Sequence, residues 1–216
     1  MLIKLIECTV AAASRPAFSR AQGAWDKLSY VPGFMGQLGG WDAARPELAR
    51  IVGLWRDRGA YRAFMDGPHD RIYDGAGQAR TYAASRVRLF ESRLAMPGVF
   101  DDLPTALASG RAALLRTALC EVAPARQASF EAVQAALWRP AMAAEEAMLG
   151  GGFGRGDEDA GPYLVATLWS SIAAHEVYAR ERLPALRERA RVGDDVTRLA
   201  GGRTPLEPRW TVTPAG

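Results

Sequence analysis

Histidine is the side chain that titrates near neutrality unaided, and this chain has only two, His69 and His175. His69 is the natural general acid or base for any proton-transfer chemistry. It follows Gly67-Pro68, a pair that breaks the helical pattern of residues 56–77 and can swing the ring toward a neighbouring sheet. Its neighbour Asp70 is not expected to form a dyad with it, because consecutive residues on a helix point in different directions. The bland alternative for His69 is a partly exposed ring capping a helix end. His175, on the polar side after Ala173-Ala174, reads as a surface residue.

Aromatic residues crowd the first half: Trp25, Trp41, Trp55, Tyr61, Phe64, Tyr73 and Tyr82. Flat rings line pockets for aromatic ligands by stacking, and Trp41, Trp55, Tyr73 and Tyr82 are taken as substrate contacts on that ground. Phe18, Trp25, Trp55 and Phe64 also fit plain helix-to-sheet core. Gln37, between Gly36 and Leu38 in a strand whose glycines allow close approach, is placed to orient a carbonyl or hydroxyl, or else is a solvated strand residue. Lys4 lies 112 positions before Arg116, so both first strands carry a cation at one point. Facing the barrel interior these cations could bind an anion; an edge location or an internal salt bridge is the alternative.

Several chemistries are excluded. GGGFGRGDEDAG (150–161) lacks the Lys-Ser/Thr ending of a phosphate loop and does not lead into a helix, so it reads as a β-hairpin. Glu145-Glu146 and the acidic residues of 157–159 have no His or Cys at ligand spacing, which predicts no metal site. There is no nucleophile elbow for a Ser-His-Asp triad. Two cysteines make no disulfide framework. No cofactor is expected. Net charge is +3 with the arginines scattered, so nucleic acid is not an expected partner. The opening MLIKLIECTV is interrupted by Lys4 and Glu7, which favours a strand over a signal peptide. No apolar stretch reaches the ~18–20 residues of a membrane helix, so no membrane is expected and a cytoplasmic location is the default. The chain is expected as monomer or homodimer, with a small-molecule ligand, an aromatic one if the rings line the pocket.

These residues must be positioned by elements that occur twice. IECTV (6–10) matches ALCEV (118–122), and Phe18 and Gln22 fall over Phe130 and Gln134, at an offset of 112. Trp55 and Phe64 fall over Trp169 and Tyr178 at 114. A colinear series with one small shift predicts two related halves: 1–95, a linker at 96–111, and 112–216. In the first, strand-like 2–10, 31–41, 46–55 and 84–92 alternate with helical 16–25 and 56–77 in the order β-α-β-β-α-β. The second repeats this at 113–122, 125–138, 147–154, 162–169, 171–190 and 207–213, with an extra helical piece near 194–200. The fold class is thus α+β: two fused ferredoxin-like units forming a pseudo-dimeric α+β barrel, each sheet covering the other's bare face.

FMGQLGGWD, VGLWRD, AYRAFM, HDRIY and GQARTY, in that order, resemble the YdbC-like family of uncharacterised bacterial proteins in the dimeric α+β barrel superfamily, closely over residues 1–93. The resemblance implies the barrel fold, and relatives include cofactor-free antibiotic-biosynthesis monooxygenases, heme-degrading enzymes, chlorite dismutases and lactone isomerases. The heme pattern needs a second Trp where Phe64 stands, an axial His where Asp74 stands, and an Asn on the first strand, so it is not met. Two readings stay open: a small-molecule-binding barrel with cofactor-independent monooxygenase chemistry, His69 taking the proton, or a non-catalytic metabolite- or partner-binding barrel. Heme binding or degradation is a minority third. The second half has Leu183 and Pro184 in place of His69 and Asp70, so the functional pocket is expected in the first.

Overall fold

A computed structural model describes residues 1–157 and 161–215. Their contacts divide the chain into unit 1, residues 1–89 with 204–216, and unit 2, residues 90–203.

Unit 1 holds β1 (Leu2–Thr9), α1 (Arg15–Gly23), β2 (Phe34–Trp41), β3 (Leu48–Trp55), α2 (Arg58–Asp66), α3 (His69–Gly75) and the first part of β4 (Ala84–Pro97). The sheet order is β2-β3-β1-β4, that of a ferredoxin-like unit, with β3 antiparallel to both neighbours. Local chemistry sets the helices. Pro16 stands in the first turn of α1, and the Asp57 carboxylate caps α2 by accepting from the Ala60 N–H at 2.7 Å. Because α2 buries Ala60 and Phe64, its polar remainder faces outward.

Every residue of β3 is buried, so both faces of this sheet are covered. One face carries a charge network. Arg50, 0% exposed, donates to Asp42 at 2.6 Å, to Glu7 at 3.0 Å and to Thr204 at 3.1 Å, and Arg88 also donates to Glu7. A cation this buried persists only when paired this fully. Burial alone would raise the Asp42 carboxyl, but the Arg50 guanidinium and the Ala44 and Arg45 N–H groups outweigh it and hold it below its ordinary value. With the folded value depressed, this stabilisation is full above an ordinary carboxylate pKa of ~4 and is lost as pH falls through the folded value. Asp42→Asn is therefore expected to flatten the acid limb of a stability–pH curve measured by urea midpoints. An equally steep limb in the variant would contradict this.

Unit 2 holds the rest of β4, α4 (Leu103–Ala108), β5 (Leu114–Val122), α5 (Gln127–Val133), α6 (Arg139–Ala143), β6 (Met148–Gly156), β7 (Tyr163–Trp169), α7 (Ile172–Glu181), α8 (Leu183–Arg189), α9 (Val192–Asp195) and β8 (Val196–Pro205) up to residue 203. Its strands run β4-β6-β7-β5-β8, so β6-β7-β5-β8 repeats the unit 1 order. Helix α4 lies within residues 96–111, capped by Asp102 on the Thr105 N–H at 2.9 Å. It packs so closely on β6 that a Cβ on Gly150 would sit 2.6 Å from the Asp102 carbonyl oxygen. The Gly-rich run forms β6 and pairs antiparallel with β7; its Glu158 and Asp159 lie outside the described residues.

The C-terminal region differs from the sequence expectation. Residues 196–205 are strand rather than helix, in keeping with β-branched Val196 and Thr197 at its start. Residues 207–213 are not the last strand of the second half; they return to unit 1. There Gln37 and Val212 exchange both backbone hydrogen bonds at 2.8 Å, and Leu206 bridges Gly40. The chain passes so near β2 that a Cβ on Gly40 would lie 2.0 Å from the Pro205 carbonyl oxygen.

Candidate functional site

Alternation along the strands of unit 1 brings one row of residues to the helix-facing side of the sheet. Lys4 on β1 stands opposite Gly53 on β3, and Gly53 stands opposite Gln37 on β2. A register shift between Phe34 and Gly36 sets Gln37 into this row. Gly53 has no side chain, so a gap opens between the ammonium and the amide. That gap is the floor of a cavity of about 90 Å³ under α2 and α3.

The cavity contains more chemistry than a core void. Gln37 is 6% exposed and its Nε2 has no hydrogen-bond partner among the described residues, an orphan donor of the kind that costs stability when left unmade. Lys4 is 9% exposed and forms no ion pair among the described residues; its ammonium lies 5.0 Å from the centre of the Tyr61 ring. Burial brings the Lys4 pKa down to about 8. Cys8 also lines the cavity, but burial, with the Glu7 charge, pushes its thiol up to about 12, so it is no nucleophile.

His69 opens α3 and lines the same cavity. Its ring is held among Phe64 at 5.4 Å, Trp25 at 5.6 Å and Tyr73, stacked at 5.7 Å. The Trp25 indole N–H donates to Gln78 at 2.6 Å. Contrary to the sequence expectation, Asp70 does pair with His69, with Oδ1 2.7 Å from Nδ1. Both residues lie in the open first turn of α3, where no preceding turn holds their side chains apart. An ionised Asp70 only accepts, so of the two neutral tautomers it favours the one with the proton on Nδ1 and the lone pair on Nε2, the form a general base needs.

Of the residues singled out from the sequence, Gln37, Trp55, His69, Tyr73 and Tyr82 all line this cavity. Tyr73 and Tyr82 hydrogen-bond through their hydroxyls, and that bond pushes the Tyr73 phenol up to about 12. Trp41 stands apart. It packs on Trp210 at 5.1 Å and Phe18 at 5.6 Å under the Arg15 guanidinium, outside the cavity wall. Lys4, expected to bind an anion from the barrel interior, lies instead on the helix-facing side of its sheet, where it lines this cavity. His175 is not at the surface: it is 2% exposed and lines a second cavity, of about 110 Å³, in unit 2. The helix turns Ala173-Ala174 aside and lays the ring against Trp169 at 4.9 Å. Among the described residues, no three His, Cys, Asp or Glu side chains group to hold a metal, and no helix is long and apolar enough to cross a membrane.

Residues 2–90 match the family model described as Domain of unknown function (DUF4937). Over 93 residues the chain is 40% identical to the uncharacterized protein YdbC of Bacillus subtilis (strain 168), covering 42% of this chain and 78% of that one. The chain belongs to the YdbC family. Solved structures extend the YdbC-family comparison across both units. A "putative monooxygenase" from Lactobacillus acidophilus NCFM is 15% identical with TM-score 0.73, covering 98% of this chain and 95% of that one. An anthrone oxidase-like protein is 13% identical with TM-score 0.70, covering 100% and 94%. A chlorite dismutase from Candidatus Nitrospira defluvii is 9% identical with TM-score 0.56, covering 96% and 92%. Identities this low show the fold alone: the α+β barrel of monooxygenase-like and chlorite dismutase-like proteins. The heme of the minority reading has no room in either of these two cavities. Cavities of about 90 and 110 Å³ are smaller than the ~150 Å³ that takes one benzene ring, let alone a porphyrin.

Proposed function

We propose that unit 1 is a cofactor-independent monooxygenase site for a compact, enolisable substrate. The observation that carries this is the convergence of an Asp70-oriented His69 with Lys4 and the orphan Gln37 Nε2 on one cavity. His69 Nε2 removes a proton from an activated CH2, and Lys4 and Gln37 stabilise the enolate oxygen as its charge develops. The enolate reduces dioxygen, a C–O bond forms, and the hydroperoxide loses water. The net change is CH2 + O2 → C=O + H2O, with the proton returned by His69. The cavity holds less than a whole ring, so the reacting edge of a single ring enters it and the rest lies at the mouth by exposed Ser85 and Val87. The two halves are read as copies of one ancestral unit, of which the first kept the base.

The test is oxygen uptake with 1,3-cyclohexanedione as compact probe and anthrone as bulky one, in the presence of chelator. Uptake is expected with the dione. Binding of the dione without uptake would overturn the oxygenase and leave a metabolite-binding barrel, the reading that a small cavity otherwise favours. Gly53→Val supplies a control for the site. A Cβ there meets only Trp55 Nε1 at 3.8 Å and Lys4 Cβ at 4.0 Å, so the larger side chain enters the cavity without backbone clash. The variant is expected to fold as stably as the parent and to lose dione binding; calorimetry and thermal melting read the two.

A further inference from the structure

We propose that unit 2 carries a second ligand site, for a small, neutral, largely apolar molecule bearing one hydroxyl, such as a phenol. It does not rest on the function proposed for unit 1.

The cavity of about 110 Å³ lies under α7 and α8 on the sheet of unit 2, and its position follows from the sequence offsets. Arg116 lines it at the place of Lys4, Thr167 at that of Gly53, and Trp169 at that of Trp55. Position 183, the counterpart of 69, is Leu; a titratable ring comes instead from His175, the counterpart of Tyr61. The chemistry has moved one turn and more along the helical region rather than vanished.

Both nitrogens of His175 are buried without a hydrogen-bond partner among the described residues. Burial, with the charges of Arg116 and Arg203, brings its pKa down to about 4, so the ring is neutral at physiological pH. A neutral imidazole presents one N–H donor and one bare nitrogen acceptor. A hydroxyl both donates and accepts, and so serves whichever nitrogen it meets. Water would do the same, but ordered water needs two to four polar partners. Here Thr167 Oγ1 already accepts from Trp169 Nε1 at 3.0 Å; Gln134, Tyr178, Arg116 and Arg187 also line the cavity, but Met96, Phe130, Val165 and Met142 make broad apolar walls. An apolar body attached to the hydroxyl fills what water leaves empty. The volume is below the ~150 Å³ that takes benzene, so a single ring fills the cavity with one edge at its mouth, beside exposed Leu199.

With two histidines in the chain, the imidazole 15N spectrum of the intact protein reports each cavity separately. Phenol is the probe, with toluene and benzoate as comparators. Phenol is expected to shift the His175 ring signals saturably, and toluene to bind at least about tenfold more weakly, as it leaves the imidazole unpaired. In His175→Leu, phenol affinity should fall to the toluene level. Ala118→Leu, which keeps His175 but fills the cavity from β5, should abolish both. The proposal is overturned if only His69 signals respond, if toluene matches phenol, or if benzoate binds tightest, which would make the arginines at the rim the recognising groups.

Discussion

His69→Ala should lower oxygen uptake by about 10²–10⁴-fold, the usual contribution of a positioned general base. The fold should lose only about 1 kcal/mol, because the ring sits at a helix start with 17% of its side chain exposed and fills no central core position. Asp70→Asn separates two roles. An asparagine of the same shape keeps the contact with Nδ1 but can donate to it, favouring the tautomer whose proton sits on Nε2, where the base must be free. Its rate loss should therefore approach that of His69→Ala while binding of the dione stays unchanged. Uptake unaffected in either variant would remove the base from the mechanism.

Lys4 behaves in the opposite sense to a structural residue. Its folded pKa of about 8 lies below the ordinary lysine value, so folding disfavours its charged form. Sign follows directly: the cost is present below pH 8, shrinks as pH rises from there, and is gone above the unfolded value of ~10.4. Lys4→Met should stabilise the protein at pH 7 and weaken binding of the enolate form. In the parent, that binding should fade as pH rises through 8. A site that sacrifices stability to hold an unpaired cation is one arranged for an anion.

The element order was legible because period-2 and period-3.6 patterns are local, and the fold class followed from repeating that order. The clustering of Gln37, Trp55, His69, Tyr73 and Tyr82 on one cavity was also within reach, since strand alternation and one helix face position them. Pairing Lys4 with Gln37 through Gly53 was not, because it depends on the shift at Phe34/Gly36, which no residue type announces. The Asp70 contact is a matter of side-chain rotamers in a first helical turn. His175 was misplaced for a similar reason: the two alanines before it say little about which face of α7 meets the sheet. Residues 206–213 have no periodicity of their own, so only the tertiary fold shows where they lie.

That tail carries the largest expected effect on stability. Trp210 is fully buried in unit 1, edge-on to Phe18 at 5.4 Å and Trp41 at 5.1 Å, with its indole N–H donating to Ser19 at 2.9 Å. Trp210→Ala should destabilise by about 3–5 kcal/mol, the cost of emptying a large aromatic site, and urea unfolding measures it. The same residue helps hold the strand of Gln37, since the tail it anchors makes two backbone hydrogen bonds to that residue. Removing residues 206–216 should do more than the point change, exposing the edge of β2 to pairing with other chains. Light scattering would show this as association. If Trp210→Ala unfolds at the parental urea concentration, the tail is an accessory to unit 1 rather than part of its core, and the position of Gln37 rests on β3 alone.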